Sequence, residues 1–184
     1  MHRRTTAALL AAFAVAGCND DIDLDRGWEA QTDTVTLFTV DLAEYQGLPS
    51  AYDIQATRTL RVEDPAATGS WDFALTGGVD TPLTLTPLGA FFDVVSNAGI
   101  APIENRTFEE LDSAPSDSAA YVVDGTVTLA EDVVYVIRSR QSSGCMNFAK
   151  LETLDIDQAA GVLTFHVSAN PSCNDRALIP PEDD

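Results

Sequence analysis

Short stretches in which apolar and polar residues alternate follow one another along most of the chain. In the run from Thr34 to Val40, Val35 and Leu37 are separated by a threonine, and a period of two is typical of a strand with one buried face. The same criteria predict a series of strands at residues 34–40, 54–62, 71–75, 82–88, 90–95, 121–123, 126–129, 133–139, 147–156 and 162–169.

Turn sequences separate these stretches, among them Gly77-Gly78, Asp124-Gly125 and Ala160-Gly161. Helical signals are confined to residues 105–111, where Thr107 is suited to cap a short turn. We therefore predict an all-β fold: a single antiparallel β domain over residues 32–178 with one short helical turn. The five aromatic residues Trp28, Trp71, Phe91, Phe92 and Phe148 are candidates either for this core or for the lining of a ligand pocket.

The first seventeen residues have the features of an export signal. Arg3 and Arg4 precede an apolar stretch too short to cross a bilayer, and small residues lead to Cys18. The junction Val15-Ala16-Gly17-Cys18 resembles a bacterial lipobox, which predicts lipidation of Cys18; the alternative is an ordinary signal peptide that happens to contain a cysteine. We expect a lipoprotein signal at 1–17, a flexible acidic tether at 18–31 and an acidic tail at 179–184, in a protein of the bacterial envelope, anchored to the outer membrane.

The charge balance excludes one class of partner. The chain has 10 Lys and Arg against 29 Asp and Glu, a net charge of −19. Nucleic-acid binding requires a clustered basic surface, and Lys150 is the sole lysine in the sequence. We therefore predict that the protein does not bind nucleic acid.

Two cysteines remain once Cys18 is assigned to lipid, namely Cys145 and Cys173. Export from the reducing cytosol favours their pairing as a disulfide. Two free thiols or a metal pair are the alternatives, but a zinc site needs further ligands and His166 is the one histidine that follows the signal. We predict the disulfide and no metal site.

Candidate catalytic groups are scarce. Histidine-dependent catalysis would depend on His166 alone, and no G-x-S-x-G nucleophile motif accompanies it. The acidic residues are too numerous for any pair of them to indicate hydrolase chemistry. The sequence therefore predicts a protein that is not an enzyme.

Several motifs occur in the order found in one lipoprotein family. Tyr135-Val136-Ile137-Arg138 is followed by Asn147-Phe148-Ala149-Lys150 and then by Gly161 and a final strand, and Trp71-Asp72-Phe73-Ala74 lies upstream. Together with the segment from Asn97 to Pro115, this arrangement over residues 34–169 resembles the HmuY family. The resemblance implies an all-β lipoprotein of the bacterial outer membrane that captures haem and delivers it to a TonB-dependent receptor.

The haem ligands of this family are not carried over by any matching motif. The family's founding type holds iron between two histidines, whereas His166 stands alone here. Met146 is the one methionine after the signal, and a His/Met pair is acceptable to haem iron. His166 and Met146 are therefore the candidate haem ligands.

Haem propionates also require cations. Arg138 and Arg140 are two residues apart in a predicted strand and form a candidate anion site, unless they lie on a solvated face and pair with neighbouring acids. Two functions remain open: capture or relay of haem, and a non-enzymatic surface lipoprotein that binds another ligand or a protein partner.

Overall fold

The computed structural model describes residues 28–181, which form two antiparallel sheets of five strands each. The strands are β1 (Thr32–Phe38), β2 (Ala51–Asp53), β3 (Arg58–Leu60), β4 (Phe73–Gly78), β5 (Thr81–Pro87), β6 (Gly99–Ile103), β7 (Val127–Thr128), β8 (Val134–Arg138), β9 (Phe148–Asp157) and β10 (Val162–Asn170). One α-helix, α1 (Leu88–Phe92), lies between β5 and β6, and short 3-10 turns occur at Ala43–Tyr45, Pro65–Ala67 and Ser118–Ala120. The predicted all-β fold is confirmed.

Sheet A has the strand order β1-β10-β9-β8-β6, and sheet B has the order β3-β2-β4-β5-β7. The inner faces of the two sheets meet in one apolar core, as in a β-sandwich. Phe165 of sheet A lies at the centre of this core, with its ring 6.0 Å from that of Tyr52 and 6.1 Å from that of Phe73 in sheet B. The alternation seen in β1 and β10 follows from this arrangement, since Leu37, Leu163 and Phe165 all point inward.

The outer faces of both sheets are also covered. Val134 and Val136 of β8 face away from the central core and pack against Phe108, Leu111 and Tyr121 from the segment between β6 and β7. On sheet B, the outward residues Ala51 and Ala74 pack with Trp71, Ala67 and Leu88. Because β8 is buried on both faces, its sequence is a continuous apolar run rather than an alternating one.

Two of the predicted strands do not form. Residues 90–95 were expected to be extended, but α1 and the loop after it occupy this region, because Leu88 and Phe91 pack against the outer face of sheet B. Residues 121–123 make a single bridge, between Val122 and Ile100, and no strand.

Two strands were not predicted, and one predicted strand is shorter than expected. Strand β6 follows a turn sequence and contains Pro102, which this edge strand tolerates because, apart from the bridge between Ile100 and Val122, no strand of the described residues pairs with its outer side. Strand β2 precedes the predicted strand 54–62, of which only Arg58–Leu60 is extended. The predicted helical turn is a non-helical turn, but Thr107 does cap it: Thr107 Oγ1 accepts from Glu110 N at 3.3 Å, and Glu110 Oε2 accepts from Thr107 N at 3.2 Å.

The predicted disulfide is confirmed. Cys145 and Cys173 are bonded, with their Cα atoms 5.2 Å apart, and they join the loop between β8 and β9 to the segment after β10. The proposed export signal, Cys18 and residues 18–27 of the tether lie outside the described residues, as do residues 182–184 of the tail. Within residues 28–181, no helix has the length and apolar character needed to cross a membrane.

Candidate functional site

His166 lies on the outer face of sheet A and pairs with an acid. It stands opposite Glu152 in the β9–β10 register, and its Nδ1 lies 3.1 Å from Glu152 Oε1. The two side chains are about one-third exposed, at 34% and 30%. A single acidic partner and partial exposure are typical of a surface histidine.

Met146 lies in the loop before β9, beside the disulfide. Its backbone N donates to Asn174 Oδ1 at 3.0 Å, and its carbonyl accepts from Asn174 N at 2.8 Å. Glu152, the cross-strand neighbour of His166, lies six residues further along the chain than Met146. Strand β9 begins at Phe148, so four strand steps of roughly 3.3 Å, about 13 Å in all, separate Glu152 from the start of the strand, and Met146 lies in the loop beyond that point. The structure does not bring His166 and Met146 to one iron atom.

Arg138 and Arg140 also lie in different environments. Arg138 is at the end of β8, where its guanidinium lies 4.5 Å from the ring centre of Tyr121 and its Nε donates to Asn97 O at 2.8 Å. Arg140 follows the strand and turns toward sheet B, where Nη1 donates to Asp53 Oδ1 at 3.0 Å and to Asp72 Oδ1 at 3.1 Å. They do not form a shared anion site, because the chain leaves the strand between them.

Lys150 is buried, with 5% of its surface exposed. Its Nζ donates to the carbonyl oxygens of Phe108 at 2.7 Å and Leu111 at 3.2 Å. Burial lowers the pKa of Lys150, while the nearby carboxylates of Glu109, Glu152 and Asp112 act in the opposite direction. The lysine therefore links sheet A to the segment between β6 and β7, and it is not available to a ligand in solution.

A cleft of about 450 Å³ opens where three segments meet at one edge of the sandwich. The segments are the chain leading into β1, the turn between β2 and β3, and the end of β10. We call it the Trp28 cleft, and it is lined by Trp28, Glu29, Gln31, Asp33, Ile54, Gln55, Thr57, Val167, Ala169 and Pro171. Apolar and aromatic surface therefore combines with two carboxylates, and none of the lining residues within 28–181 is a lysine, arginine or histidine.

The apolar part of the cleft is continuous with the core. Ile54 and Val167 are 1% and 2% exposed and belong to the central cluster of the sandwich. The side chain of Gln55 is held in place because its Nε2 lies within hydrogen-bonding distance of Ser139 Oγ, Arg140 O and Cys145 O, at 3.3 to 3.4 Å. These contacts make the inner part of the cleft a preformed surface.

Two features of the cleft are costly to the folded protein. Thr57 has φ = 45°, a left-handed conformation that is strained for a β-branched residue. The Nε1–H of Trp28 is buried and has no acceptor within residues 28–181, although buried donors are almost always paired. Neither feature is confined to the cleft, since six other non-glycine residues within 28–181 have positive φ and Trp71 Nε1 and Ser168 Oγ are also unpaired there.

The carboxylate of Asp33 influences a core tyrosine behind the cleft. Burial, followed by the charges of Asp33 and Asp53, raises the pKa of Tyr52 to about 12. Asp33 therefore lines the cleft and also acts on the core residue behind it. Such a site favours a cationic group and disfavours an anionic one.

The sequence identified Trp28 as a candidate pocket residue, but it contained no signal that would join residues 28–33 to 54–57 and 167–171. The other aromatic candidates are mainly core residues: Trp71 and Phe148 are buried in the outer clusters. No group of three or more His, Cys, Asp and Glu side chains within the described range is arranged to hold a metal ion.

Comparison of the sequence with models of known protein families found no match, and comparison with curated proteins found none either.

Proposed function

We propose that this chain is a non-enzymatic binding protein of the bacterial envelope, anchored through Cys18, and that its Trp28 cleft binds an organic cation. The observation that carries the proposal is the composition of the cleft, in which an indole and two carboxylates surround an apolar floor and none of the lining residues within 28–181 is basic. Of the two functions left open by the sequence, this is a form of the second. Haem capture stays a prediction.

An ammonium or guanidinium group on an apolar stem matches each part of this lining. The stem gains from contact with Ala169 and Pro171, the apolar lining residues that remain accessible, and the cation gains from the face of Trp28, an interaction that stabilises by about 0.5–2 kcal/mol according to its desolvation. Glu29 and Asp33 supply the opposite charge. An anionic ligand would meet the same carboxylates without compensation.

Few cations elsewhere on the described chain are free to bind anions. Arg58, Arg61 and Arg140 form ion pairs with aspartates, at distances from 3.0 to 3.5 Å. Arg138 and Lys150 are held by aromatic rings and backbone carbonyls. This distribution supports a ligand that is not anionic.

Isothermal titration of the exported chain from residue 19 onward tests the proposal. The probes are choline, agmatine and 3,3-dimethylbutanol, which has the shape of choline without its charge. We expect saturable 1:1 binding of choline or agmatine, and at least tenfold weaker binding of the alcohol. Trp28→Ala should abolish binding and Glu29→Gln with Asp33→Asn should weaken it, whereas Glu44→Gln, an exposed acid outside the cleft, should not.

Two results would count against the proposal. One is the absence of binding by any of the cations, and the other is binding that survives Trp28→Ala. A parallel titration with haemin separates the two functions, because a saturable Soret shift that is lost in His166→Ala or Met146→Ala would favour haem capture.

A further inference from the structure

Three exposed apolar side chains occur within four residues at the end of α1. Phe92, Val94 and Val95 have 40%, 53% and 104% of their surface exposed. We call these three residues the apolar tip. Exposed apolar residues scattered singly are ordinary, but a cluster of them marks an interaction surface.

The backbone of the tip is held in one conformation. Asp93 ends α1 in the left-handed region, with φ = 54° and ψ = 47°, and Val94 N donates to Gly89 O at 3.0 Å. A Cβ atom on Gly89 would lie 2.9 Å from Val94 O and 3.1 Å from Val123 O. The loop therefore folds back tightly on the start of α1, where glycine alone allows this approach.

An aromatic cluster supports the tip from beneath. Trp71 is fully buried, and its ring centre lies 5.3 Å from that of Phe91 and 5.5 Å from that of Phe92. Phe92 thus packs against a buried tryptophan and is also partly exposed to solvent. The exposed tip therefore belongs to a loop that packs against a buried aromatic cluster.

A groove of about 350 Å³ runs beside the tip, and both Asp93 and Asp124 line it. Its remaining lining comes from Gly89, Ala90, Val94, Val95, Ser96 and Val123. The surface therefore presents protruding apolar side chains next to a groove whose lining, among residues 28–181, includes two carboxylates and no basic residue.

The negative charge of this surface favours some binding partners over others. A second copy of the chain would bring Asp93 and Asp124 of both copies together, between molecules that each carry a net charge of −19. An anionic bilayer surface would be repelled by the same carboxylates. A protein with lysine or arginine beside an apolar socket is complementary in both charge and polarity.

We propose that the apolar tip and its groove form a docking surface for a second envelope protein, which presents an apolar socket bordered by basic residues. The surface shares no lining residue with the Trp28 cleft. The docking surface therefore stands or fails independently of the ligand that the cleft binds.

Site-directed photocrosslinking in the bacterium that produces the protein tests the docking surface. Benzoylphenylalanine replaces Val95 in the full-length chain, and a matched control carries it at Ile179, which is 44% exposed and lies outside the tip. We expect a protein adduct from position 95 that is absent from position 179. Mass spectrometry of the adduct should place the crosslinked peptide next to lysine or arginine residues of the partner.

A second variant tests the role of charge. Asp93→Asn with Asp124→Asn removes both carboxylates, and asparagine tolerates the left-handed conformation at position 93. This double variant should reduce the yield of the adduct at least fivefold while the melting temperature is unchanged. The proposal is overturned by an adduct to lipid or to a second copy, by equal adducts from positions 95 and 179, or by a yield that survives the double substitution.

Discussion

Arg140 and Asp72 connect the two sheets of the sandwich through a buried ion pair. Arg140 follows β8 of sheet A, and both its backbone N and its Nη1 donate to Asp72 Oδ1, at 2.7 Å and 3.1 Å. Asp72 directly precedes β4 of sheet B, and its other oxygen accepts from Ile54 N at 2.7 Å. Asp53 shares Nη1 of the same arginine and also pairs with the more exposed Arg58, so that Arg140 is common to two carboxylates that are each 1% exposed.

Replacement of Arg140 by methionine should destabilise the protein strongly. Asp72 would remain buried without its cation and Asp53 would keep the exposed Arg58 alone, and the loss of one partner from a buried ion pair costs about 3–5 kcal/mol. Urea unfolding of the two proteins measures the difference. Arg58→Met is the matched control, since Arg58 pairs with Asp53 at 3.5 Å but has 57% of its side chain exposed, and exposed pairs contribute at most about 1 kcal/mol. Equal effects of the two substitutions would contradict this assignment.

The stability contributed by Asp72 should depend on pH in an unusual direction for an acid. Burial raises the pKa of Asp72 to about 6, against the hydrogen bonds and charge of Arg140, which lower it. The folded state therefore binds the proton more tightly than the unfolded state, where the pKa is near 3.8. The contribution of Asp72 is fully present below pH 3.8 and is lost as the pH rises through 6.

The difference between the free energies of unfolding of the wild type and of Asp72→Asn, followed as a function of pH, measures this dependence. The asparagine variant should be less stable over the whole pH range. Its NH₂ group would replace an oxygen that accepts a hydrogen bond and would face the same N–H donor. The stability advantage of the wild type should grow as the pH falls from 8 to 5. A difference that stays constant over this range would show that Asp72 does not titrate there.

Reduction of the bond between Cys145 and Cys173 should lower stability by about 3–4 kcal/mol, the value that chain entropy predicts for cysteines separated by 28 residues. Urea unfolding with and without reductant measures the loss. Reductant should have no effect on a variant in which both cysteines are serine. Detection of two free thiols in the oxidised, denatured protein would rule out the bond in solution.

Lys150→Met should loosen the segment that covers sheet A. The substitution retains an apolar stem but leaves the buried carbonyl oxygens of Phe108 and Leu111 without their donor, at a cost of about 1–3 kcal/mol. Amide hydrogen exchange should accelerate in residues 104–114. Arg106→Met, at an exposed position in the same segment, should leave the exchange rates unchanged, and equal acceleration in both variants would refute the role of Lys150.

Local patterns were sufficient to predict the features that depend on neighbouring residues. The strands 133–139 and 162–169 form nearly as expected, as β8 and β10. A period of two indicates a strand buried on one face, and a continuous apolar run indicates a strand buried on both faces. Neither pattern depends on which strands lie next to it. The cap at Thr107 was also predictable, since its partner Glu110 is three residues away. The disulfide followed from the number of cysteines and the expected export.

Contacts between distant parts of the chain decided the rest. Residues 90–95 have the composition of a strand, but the packing of Phe91 on Trp71 draws them into α1 and the apolar tip. Met146 and His166 are both suitable as iron ligands, yet the register of β9 and β10 sets them far apart. The Trp28 cleft arises where three segments converge. By itself the sequence determined the type of fold and the chemistry of its side chains, whereas only the tertiary structure decided which side chains meet, because that depends on strand order and register.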